Sequence, residues 1–484
     1  MPAPQLSELR LLRSRRFSAR MPGQGQHNQA AFAILPTMRK HIWFVLAAAA
    51  FAPAGASDQS VSPQEKAIAA YIDANEQASN AFLEKLVNIN SGTHNLEGVR
   101  AVGKILMTQL EQLGFKVRWV PMDEVHRAGT LVAEHPCPEA APQSKSGCGK
   151  RMLLIGHMDT VFEKSSSFQT YTVNGHIATG PGVNDMKGGL VDMIYALKAL
   201  HAAGVLKQMD ITVVLSGDEE EHGEPAEIAR RDMLAAAKHS DVALEFEATP
   251  RIDGVYYGSV SRRSSISWKI KTTGESGHSS AIFSEGKGSG AVFELTRILD
   301  AFRTQLPEQY LTFNVGLVLG GTSVTVDKDG ISGAAEGKDN VIPPKAYASG
   351  DIRTISNEQT DRLEKRMQGI VAQHLPRTSA TISFGEGYPA MAPTAESRAL
   401  LGILNQVNQS LGLAQMPELD PMKRGAGDIA FVSPPLPGLA GIGATGDGAH
   451  QPGETIDLSA QPINTKRAAL LMYRLSRMSA GAGL

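Results

Sequence analysis

The sequence has little cysteine and no excess of charge of either sign. Its 484 residues include only two cysteines, Cys137 and Cys148, so a metal cluster built from several thiolates is excluded. Lysine and arginine (47) nearly balance aspartate and glutamate (49), and no basic stripe or arginine-rich block occurs. This balance argues against nucleic acid or an anionic membrane as a partner. A chain of this length and composition predicts a soluble protein of two or three domains.

A hydrophobic run long enough to cross a membrane is also missing. The segment "MRKHIWFVLAAAAFAPAGAS" begins at Met38 with two basic residues, continues with an apolar stretch over residues 42–52 and ends in small residues. The stretch is shorter than the ~20 residues of a membrane span. The pattern is that of a secretory signal peptide. We therefore expect residues 1–37 to be disordered and to precede the true start of translation, residues 38–56 to be the signal peptide, and the mature protein to be periplasmic or secreted and free of the membrane.

Export to an oxidising compartment would make the two cysteines candidates for a disulfide. They bracket "PEAAPQSKSG", a polar loop, and an oxidising compartment favours a disulfide between Cys137 and Cys148. Closing so short a loop would contribute roughly 3 kcal/mol in the chain-entropy model.

The pattern of apolar residues predicts two folding units. Helical spacing over residues 63–88 and 96–113, buried strands "MLLIG" and "ITVVL", and a helix between those strands indicate a three-layer α/β domain with a largely parallel sheet. From about Gly258 the order becomes β-α-β-β-α-β, which is typical of a ferredoxin-like α+β sandwich. We expect the catalytic domain to occupy residues 57–257 and 386–484, with the sandwich inserted at residues 258–385.

Acidic and imidazole side chains follow several of the predicted strands. "LLIGHMDTVF" places His157 and Asp159 on the same side of an extended chain, which suits a metal ligand and the carboxylate that orients it. Each such group also has a plain structural explanation as a cap, turn or loop residue. Taken together they indicate one site, because the carboxyl ends of strands in an open α/β sheet converge on one crevice. Carboxylates and imidazoles without sulfur favour zinc or a similar divalent ion.

Six motifs carry a resemblance to a known enzyme family. In chain order they are "GHMDTV", "GPGVNDMKGG", "GDEEEHG", "FEATP", "GHSS" and "GAHQPGE". The set resembles the di-zinc aminoacylase and glutamate carboxypeptidase family, which includes acetylornithine deacetylase and succinyl-diaminopimelate desuccinylase. The likeness covers nearly the whole mature chain. It implies a zinc-peptidase catalytic domain with an inserted domain that serves as lid and dimerisation surface, and hence a homodimer.

The resemblance also implies a role for each motif. Five ligands would hold two Zn²⁺ ions per subunit, or two other divalent metals. One ion would be bound by His157, Asp185 and Glu247, and the other by Asp185, Glu220 and His450, so that Asp185 is shared. Glu219 would be the general base and Asp159 the carboxylate that orients His157. His278 would reach the partner's site to stabilise the oxyanion, while Asn340 and Arg353 would bind the substrate carboxylate.

Two assignments compete with neighbouring residues. Glu221 extends the acidic run and could shift the base and ligand by one position; the family pattern favours Glu219 and Glu220, directly after Asp218. Glu245 competes with Glu247 as a metal ligand, and "FE-x-T" favours Glu247.

One position departs from the family pattern. Glutamate-specific relatives have an arginine before a proline after the last strand of the inserted domain, whereas "GEGYPAM" places Tyr388 there. The expected activity is hydrolysis of an amide beside a free α-carboxylate, on a small peptide or acyl-amino acid, and Tyr388 weakens the case for a glutamate side chain. The alternatives are an N-acyl-amino-acid deacylase and a non-catalytic binding homologue.

Overall fold

The fold is built around two β-sheets that are covered by helices. The computed structural model describes residues 61–138, 148–479 and 483–484. These belong to one unit, Gln59–Leu484. The predicted upstream segment 1–37 and signal peptide 38–56 lie outside the described residues, and so does most of the loop between the cysteines.

The described residues form ten α-helices. In chain order they are α1 (Pro63–Ala74), α2 (Glu76–Val87), α3 (Leu96–Gln112), α4 (Gly188–Ala202), α5 (Ala226–Ala229), α6 (Arg231–Ala237), α7 (Ala291–Gln305), α8 (Asn357–Val371), α9 (Ala395–Ser410) and α10 (Gln461–Leu475).

They also form eighteen strands. In chain order these are β1 (Lys116–Met122), β2 (Arg127–His135), β3 (Met152–His157), β4 (Thr172–Asn174), β5 (Ile177–Thr179), β6 (Ile211–Ser216), β7 (Val242–Glu245), β8 (Arg251–Ile252), β9 (Val255–Tyr256), β10 (Ile266–Gly274), β11 (Thr312–Gly321), β12 (Ser323–Val326), β13 (Gly333–Glu336), β14 (Lys345–Arg353), β15 (Thr378–Phe384), β16 (Gly438–Ala440), β17 (Gly446–Asp447) and β18 (Thr455–Asp457).

The larger sheet has six strands in the order β1-β2-β6-β3-β7-β16. Strands β6, β3, β7 and β16 are parallel, while β2 and β1 are antiparallel to their neighbours. Every residue of β3 is buried, as expected for a strand covered on both faces. The carboxyl ends of the four parallel strands meet at one edge, so the residues that follow them share one crevice.

Helices cover both faces of this sheet. On one face, α1, α3, α4 and α10 bury a large apolar core that includes Leu106, Leu190 and Leu471. On the other face, α6 and the segment around Ile429 pack against a second cluster. The three-layer α/β architecture predicted from the sequence is therefore confirmed.

The second sheet has four antiparallel strands in the order β11-β14-β10-β15. Helices α7 and α8 pack on one face, around Trp268, Ile298 and Phe302. The chain order β10, α7, β11, β14, α8, β15 is the predicted sandwich, with the β12–β13 hairpin added between β11 and β14. The predicted boundaries at residues 258 and 385 bracket these elements and stay a prediction.

Other details differ from the sequence prediction or extend it. The single helix expected over residues 63–88 is two helices, because the chain leaves the helical conformation at Asn75, where the side chain donates to Tyr71 O. A disulfide joins Cys137 and Cys148, whose Cα atoms lie 5.8 Å apart, so this pairing is confirmed. Among the helices within the described ranges, none has the length and apolar character to span a membrane.

Candidate metal centre

His157 is the last residue of β3 and lies at the carboxyl edge of the sheet. Its Nε2 is 3.1 Å from Asp185 Oδ1, and its Nδ1 faces Asp159 at 3.2 Å from the backbone oxygen and 3.4 Å from Oδ1. Burial alone would lower the pKa of His157, but the hydrogen bonds to Asp159 and Asp185 hold it well above its usual range. The imidazole therefore lies in a strongly negative field, where a cation is favoured.

Asp159 is completely buried and connects the two halves of the site. Besides facing His157, it accepts hydrogen bonds from Thr93 Oγ1 (2.7 Å) and from the backbone N–H groups of Glu219 (3.0 Å) and Glu220 (3.1 Å). One carboxylate thus fixes both the imidazole and the turn that carries the two glutamates.

Asp185 lies between the two histidines. Its Oδ1 faces His157, and its Oδ2 is 3.0 Å from His450 Nε2. A carboxylate whose two oxygens face different ligand sets has the geometry of a bridging ligand.

Glu454 holds the loop that carries Asp185. Its buried carboxylate accepts from the backbone N–H groups of Gly182 (2.9 Å), Asn184 (2.7 Å) and Asp185 (2.8 Å). Burial raises the pKa of Glu454 to about 7. Glu454 was not among the predicted site residues, although it lies within the same "GAHQPGE" motif as His450.

Glu219 and Glu220 both line the cavity, but they face different groups. Glu220 Oε2 is 3.1 Å from His450 Nε2, whereas Glu219 Oε2 is 3.9 Å from His157 Nε2. Burial raises the pKa of Glu219 well above its usual range, and burial together with Asp185 raises the pKa of Glu220 to about 7. Glu221 turns outward, where it pairs with His94 (3.0 Å) and Arg127 (3.2 Å).

Glu245 and Glu247 are also separated by the fold. Glu245 is the last residue of β7 and is bound by Arg262 Nη1 (2.5 Å) and Ile429 N (2.9 Å). Glu247 lines the cavity, where its Oε2 is 2.9 Å from Arg262 Nη1 and 3.2 Å from Arg424 Nη2. Both register choices made from the sequence therefore place the chosen residue in the cavity.

The donor set fits two divalent metal ions. His157, Asp185 and Glu247 form one triad and Asp185, Glu220 and His450 another, and within each triad the ligand atoms lie within 4.8 Å of one another. The overlapping set of His157, Glu219 and Glu220 meets the same limit. Glu220 Oε1 is buried without a hydrogen-bond partner among the described residues, as expected for a ligand oxygen. Oxygen and nitrogen donors without sulfur suit zinc, among other divalent ions.

All of these side chains except His157 line a cavity of about 510 Å³. It is lined by Asp185, Glu219, Glu220, Glu247, Arg262, Ser265, Arg353, Tyr388, Lys423, Arg424, Gly425, Ala426, Ala449 and His450. Arg262, Lys423 and Arg424 were not expected from the sequence. Paired basic residues in "SRRSS" and "MKRGAG" are the signal that could have identified them.

The predicted substrate residues fall into two groups. Arg353 lines the same cavity as Asp185, Glu220, Glu247 and His450. His278 and Asn340 are not among the lining residues; they lie beside each other, because His278 pairs with Val341 across a β-bridge and Ser279 N donates to Asn340 O (2.9 Å). Within one chain, Asn340 therefore does not line the cavity that contains Arg353.

Tyr388 lines the cavity, but its hydroxyl is already engaged. It donates to Glu219 O and accepts from Arg230 Nη2 at 3.1 Å, and its ring packs edge-on against His222 and Phe431. Arg230 is itself buried between Asp218 (2.8 Å) and Asp428 (2.7 Å). The predicted role of Tyr388 in binding substrate stays a prediction, and its hydroxyl also supports the backbone of Glu219.

Comparison with curated proteins identifies relatives of similar length. The chain is 28% identical over 412 residues to carboxypeptidase G2 of Pseudomonas sp. (strain RS-16), covering 83% of this chain and 89% of the relative. It is 24% identical over 383 residues to succinyl-diaminopimelate desuccinylase of Gluconacetobacter diazotrophicus, covering 78% and 91%.

Solved structures share the fold. A tripeptidase from Staphylococcus aureus has a TM-score of 0.63 at 16% identity, covering 84% of this chain and 99% of that one. The YXEP protein of Bacillus subtilis, described as a dinuclear metal binding peptidase, has a TM-score of 0.57 at 16% identity, covering 83% and 98%.

A family model for peptidase family M20/M25/M40 matches residues 153–474, a range that begins in β3 and ends in α10. It includes every motif on which the predicted resemblance rests. The chain therefore belongs to peptidase family M20/M25/M40 and is a metal-dependent hydrolase.

Proposed function

We propose that this protein is an exported di-zinc amidohydrolase of the carboxypeptidase type, which cleaves an amide bond beside a free α-carboxylate. The observation that carries the proposal is the cavity itself. It combines two ligand triads that share Asp185, an additional buried carboxylate at Glu219, and Arg353 as a cation for the substrate.

His157, Asp185 and Glu247 would hold one zinc ion, and Asp185, Glu220 and His450 the other. When bound, two such ions polarise a scissile carbonyl and lower the pKa of a water molecule. The place of Glu219 in the cavity, with its Oε2 3.9 Å from His157 Nε2, supports its role as the group that takes the proton from the attacking water and returns it to the leaving amine. Asp159 and Tyr388 hold Glu219 in place through its backbone.

Arg353 would select the substrate by its free carboxylate. A guanidinium can bind a carboxylate through two parallel hydrogen bonds, which fixes the orientation of the scissile bond relative to the metal ions. His278 and Asn340 would complete the site from a partner subunit of a homodimer. Their segments pair with each other, and neither residue lines the cavity of its own chain, which supports this arrangement.

The proposed location is the periplasm or the extracellular medium. The disulfide between Cys137 and Cys148 supports it, because such bonds persist in oxidising compartments. An N-acyl-amino-acid deacylase is the second candidate, since the relatives include a desuccinylase and the same metal core would serve. A non-catalytic homologue is disfavoured, because Glu219 and all five ligand side chains are present.

The test is a matched series of N-acyl-amino acids and dipeptides, each as the free acid and as its C-terminal amide. We expect the acids to be cleaved and the amides to fail. Arg353→Ala should lower kcat/KM on the acids by about 30- to 1,000-fold, because a charge-assisted contact is lost. Arg303→Ala, which removes an exposed arginine of α7, is the matched control. Equal cleavage of acids and amides would contradict the proposal.

A further inference from the structure

A buried arginine behind the cavity joins three segments of the chain. Arg230 lies between α5 and α6, and its side chain is completely buried. Its Nε donates to Asp428 Oδ1 (2.7 Å), its Nη1 to Asp218 Oδ1 (2.8 Å), and its Nη2 to both Asp218 O (3.1 Å) and the Tyr388 hydroxyl (3.1 Å). All three guanidinium nitrogens are therefore engaged inside the protein, and Arg230 is not among the residues that line the cavity.

The first of these segments is the turn that carries Glu219. Asp218 directly precedes Glu219, and its two carboxylate oxygens accept from Arg230 and from the backbone N–H of Gly223 (2.8 Å), which closes the turn. Tyr388 donates its hydroxyl hydrogen to the backbone oxygen of Glu219. Arg230 therefore holds the turn at two neighbouring residues: at Asp218 directly, and at Glu219 through Tyr388.

The other two segments come from distant parts of the chain. Tyr388 lies between β15 and α9, where the chain leaves the sandwich sheet, and Asp428 closely follows residues 423–426 of the cavity wall. Asp428 Oδ2 also accepts from Ser216 Oγ (2.5 Å), and Ser216 is the last residue of β6, the strand that leads into the glutamate turn. One guanidinium thus connects the end of β6, the segment that leaves the sandwich and the loop at the cavity wall.

Burial makes this network depend on the shape of the arginine side chain. The side chains of Asp218 and Asp428 are each only 2% exposed, so the guanidinium is the cation that balances them. Removing the cation outright would leave buried carboxylates unpaired, which is strongly destabilising. Lysine would keep the charge, but its single nitrogen cannot occupy the three positions from which the guanidinium donates to Asp218, Asp428 and Tyr388.

We propose that Arg230 is a positioning residue for Glu219. Through Asp218 and Tyr388 it fixes the backbone of the turn, and thereby the place of the Glu219 carboxylate in the cavity. The inference rests on the proposed function, which makes Glu219 the group that accepts a proton from water and returns it to the leaving amine. The chemical step then depends on a side chain outside the cavity, whereas substrate binding at Arg353 does not.

Two conservative variants break the connection at different points. Tyr388→Phe keeps the ring that packs against His222 and Phe431 but removes the hydroxyl, and with it the bonds to Glu219 O and Arg230. Arg230→Lys keeps the charge but loses the fork. We expect each variant to lower kcat by about 10- to 100-fold, because a misplacement of ~1 Å costs about that much. KM and zinc content should stay close to the wild-type values, whereas a hydroxyl that only binds substrate would raise KM.

A double variant and a matched control separate positioning from stability. In Arg230→Lys/Tyr388→Phe, the loss of kcat should be smaller than the product of the two single losses, because both residues act through one network. Arg467→Lys is the control, since Arg467 is also buried and donates to Asn408 (2.7 Å) and Asn464 (3.0 Å), none of which lines the cavity. It should leave kcat at the wild-type value even where it lowers the unfolding temperature.

Crystal structures of the zinc-loaded variants provide a readout that needs no turnover. We expect the Glu219 carboxylate to move by about 1 Å in Tyr388→Phe and Arg230→Lys, while the five ligand side chains stay in place. The inference is overturned if Glu219 keeps its wild-type position and kcat is unchanged in both variants, if only KM changes, or if the two losses multiply. If the wild-type enzyme hydrolyses none of the acids in the substrate series, the proposed function fails, and the position of Glu219 in the crystals still decides the role of Arg230.

Discussion

At the scale of single residues, the site depends on how Glu219 and Glu220 are separated. They are adjacent in the chain, and both of their backbone N–H groups donate to the buried carboxylate of Asp159. This contact fixes the turn, so one side chain approaches His450 and the other lies beside His157. Two neighbouring glutamates can therefore serve as base and as ligand.

Substitution should separate these two roles. Glu219→Ala should lower kcat by about 10²- to 10⁴-fold through loss of the base, with two metal ions per chain retained. Glu220→Ala should also be inactive, but it should lose one ion, because Glu220 belongs to the triad with Asp185 and His450. Metal content by plasma mass spectrometry and turnover are the measurements.

Glu221→Ala is the matched control, since Glu221 is exposed and pairs with His94 and Arg127 rather than with a cavity residue. It should retain both metal ions and most of the activity. Identical metal content in the Glu219 and Glu220 variants would contradict the assignment.

Two of the residues missed from the sequence, Arg424 and Glu454, have partners that are far away along the chain. The residues proposed as ligands each follow a strand or lie in a glycine-rich loop. Such positions can be recognised from the neighbouring sequence. Arg424 meets Glu247 across 177 positions, and Glu454 meets Asp185 across 269. Contacts between such distant segments became visible only in the fold.

At the scale of elements, the packing of α4 against α10 contains a buried acid. Asp192 Oδ1 accepts from Thr465 Oγ1 (2.7 Å), while Oδ2 is buried with no partner among the described residues. Burial raises the pKa of Asp192 well above its usual range. The folded protein therefore keeps a proton at a pH where the unfolded chain has already lost it.

The sign of the resulting pH dependence follows from proton linkage. Where the folded state binds the additional proton, the free energy of unfolding falls as pH rises. This penalty is absent below the unfolded pKa of about 4 and grows until the pH reaches the pKa of the folded protein. Asp192→Asn should therefore be stabilising at pH 8 relative to wild type, and this gain should shrink toward pH 4.5 in urea unfolding. Asp361→Asn, on the exposed face of α8, should show no such trend, and a pH-independent effect of Asp192→Asn would refute the explanation.

The elements predicted best are those with a long, regular apolar pattern. The helix predicted between "MLLIG" and "ITVVL" corresponds to α4, and those two continuous apolar runs correspond to β3 and β6. The break at Asn75 was missed because the apolar spacing continues through it. Short strands such as β8, β9 and β17 were missed because two residues carry no periodicity.

At the scale of the whole molecule, His278 and Asn340 lie together on the inserted domain, outside the cavity of their own chain. The proposed homodimer explains this placement, because a partner subunit would bring both residues to the cavity. The resemblance predicted this use of His278, whereas the position of Asn340 beside the His278 segment depends on the fold.

Mixing two inactive variants should then restore activity. A His278→Ala subunit retains its own Glu219, and a Glu219→Ala subunit can lend its intact His278, so each heterodimer should contain one working site of two. Each variant mixed with itself is the control, with heterodimers verified by native mass spectrometry. No recovery in proven heterodimers would contradict the shared site.

The most direct test of the central claim is zinc anomalous diffraction from crystals of the zinc-loaded protein. The account predicts two peaks about 3.5–4 Å apart on either side of Asp185, one contacted by His157 and Glu247 and the other by Glu220 and His450. Glu219 should contact neither ion directly. A single peak, or a zinc ion held by Glu219 together with His157 and Glu220, would contradict it.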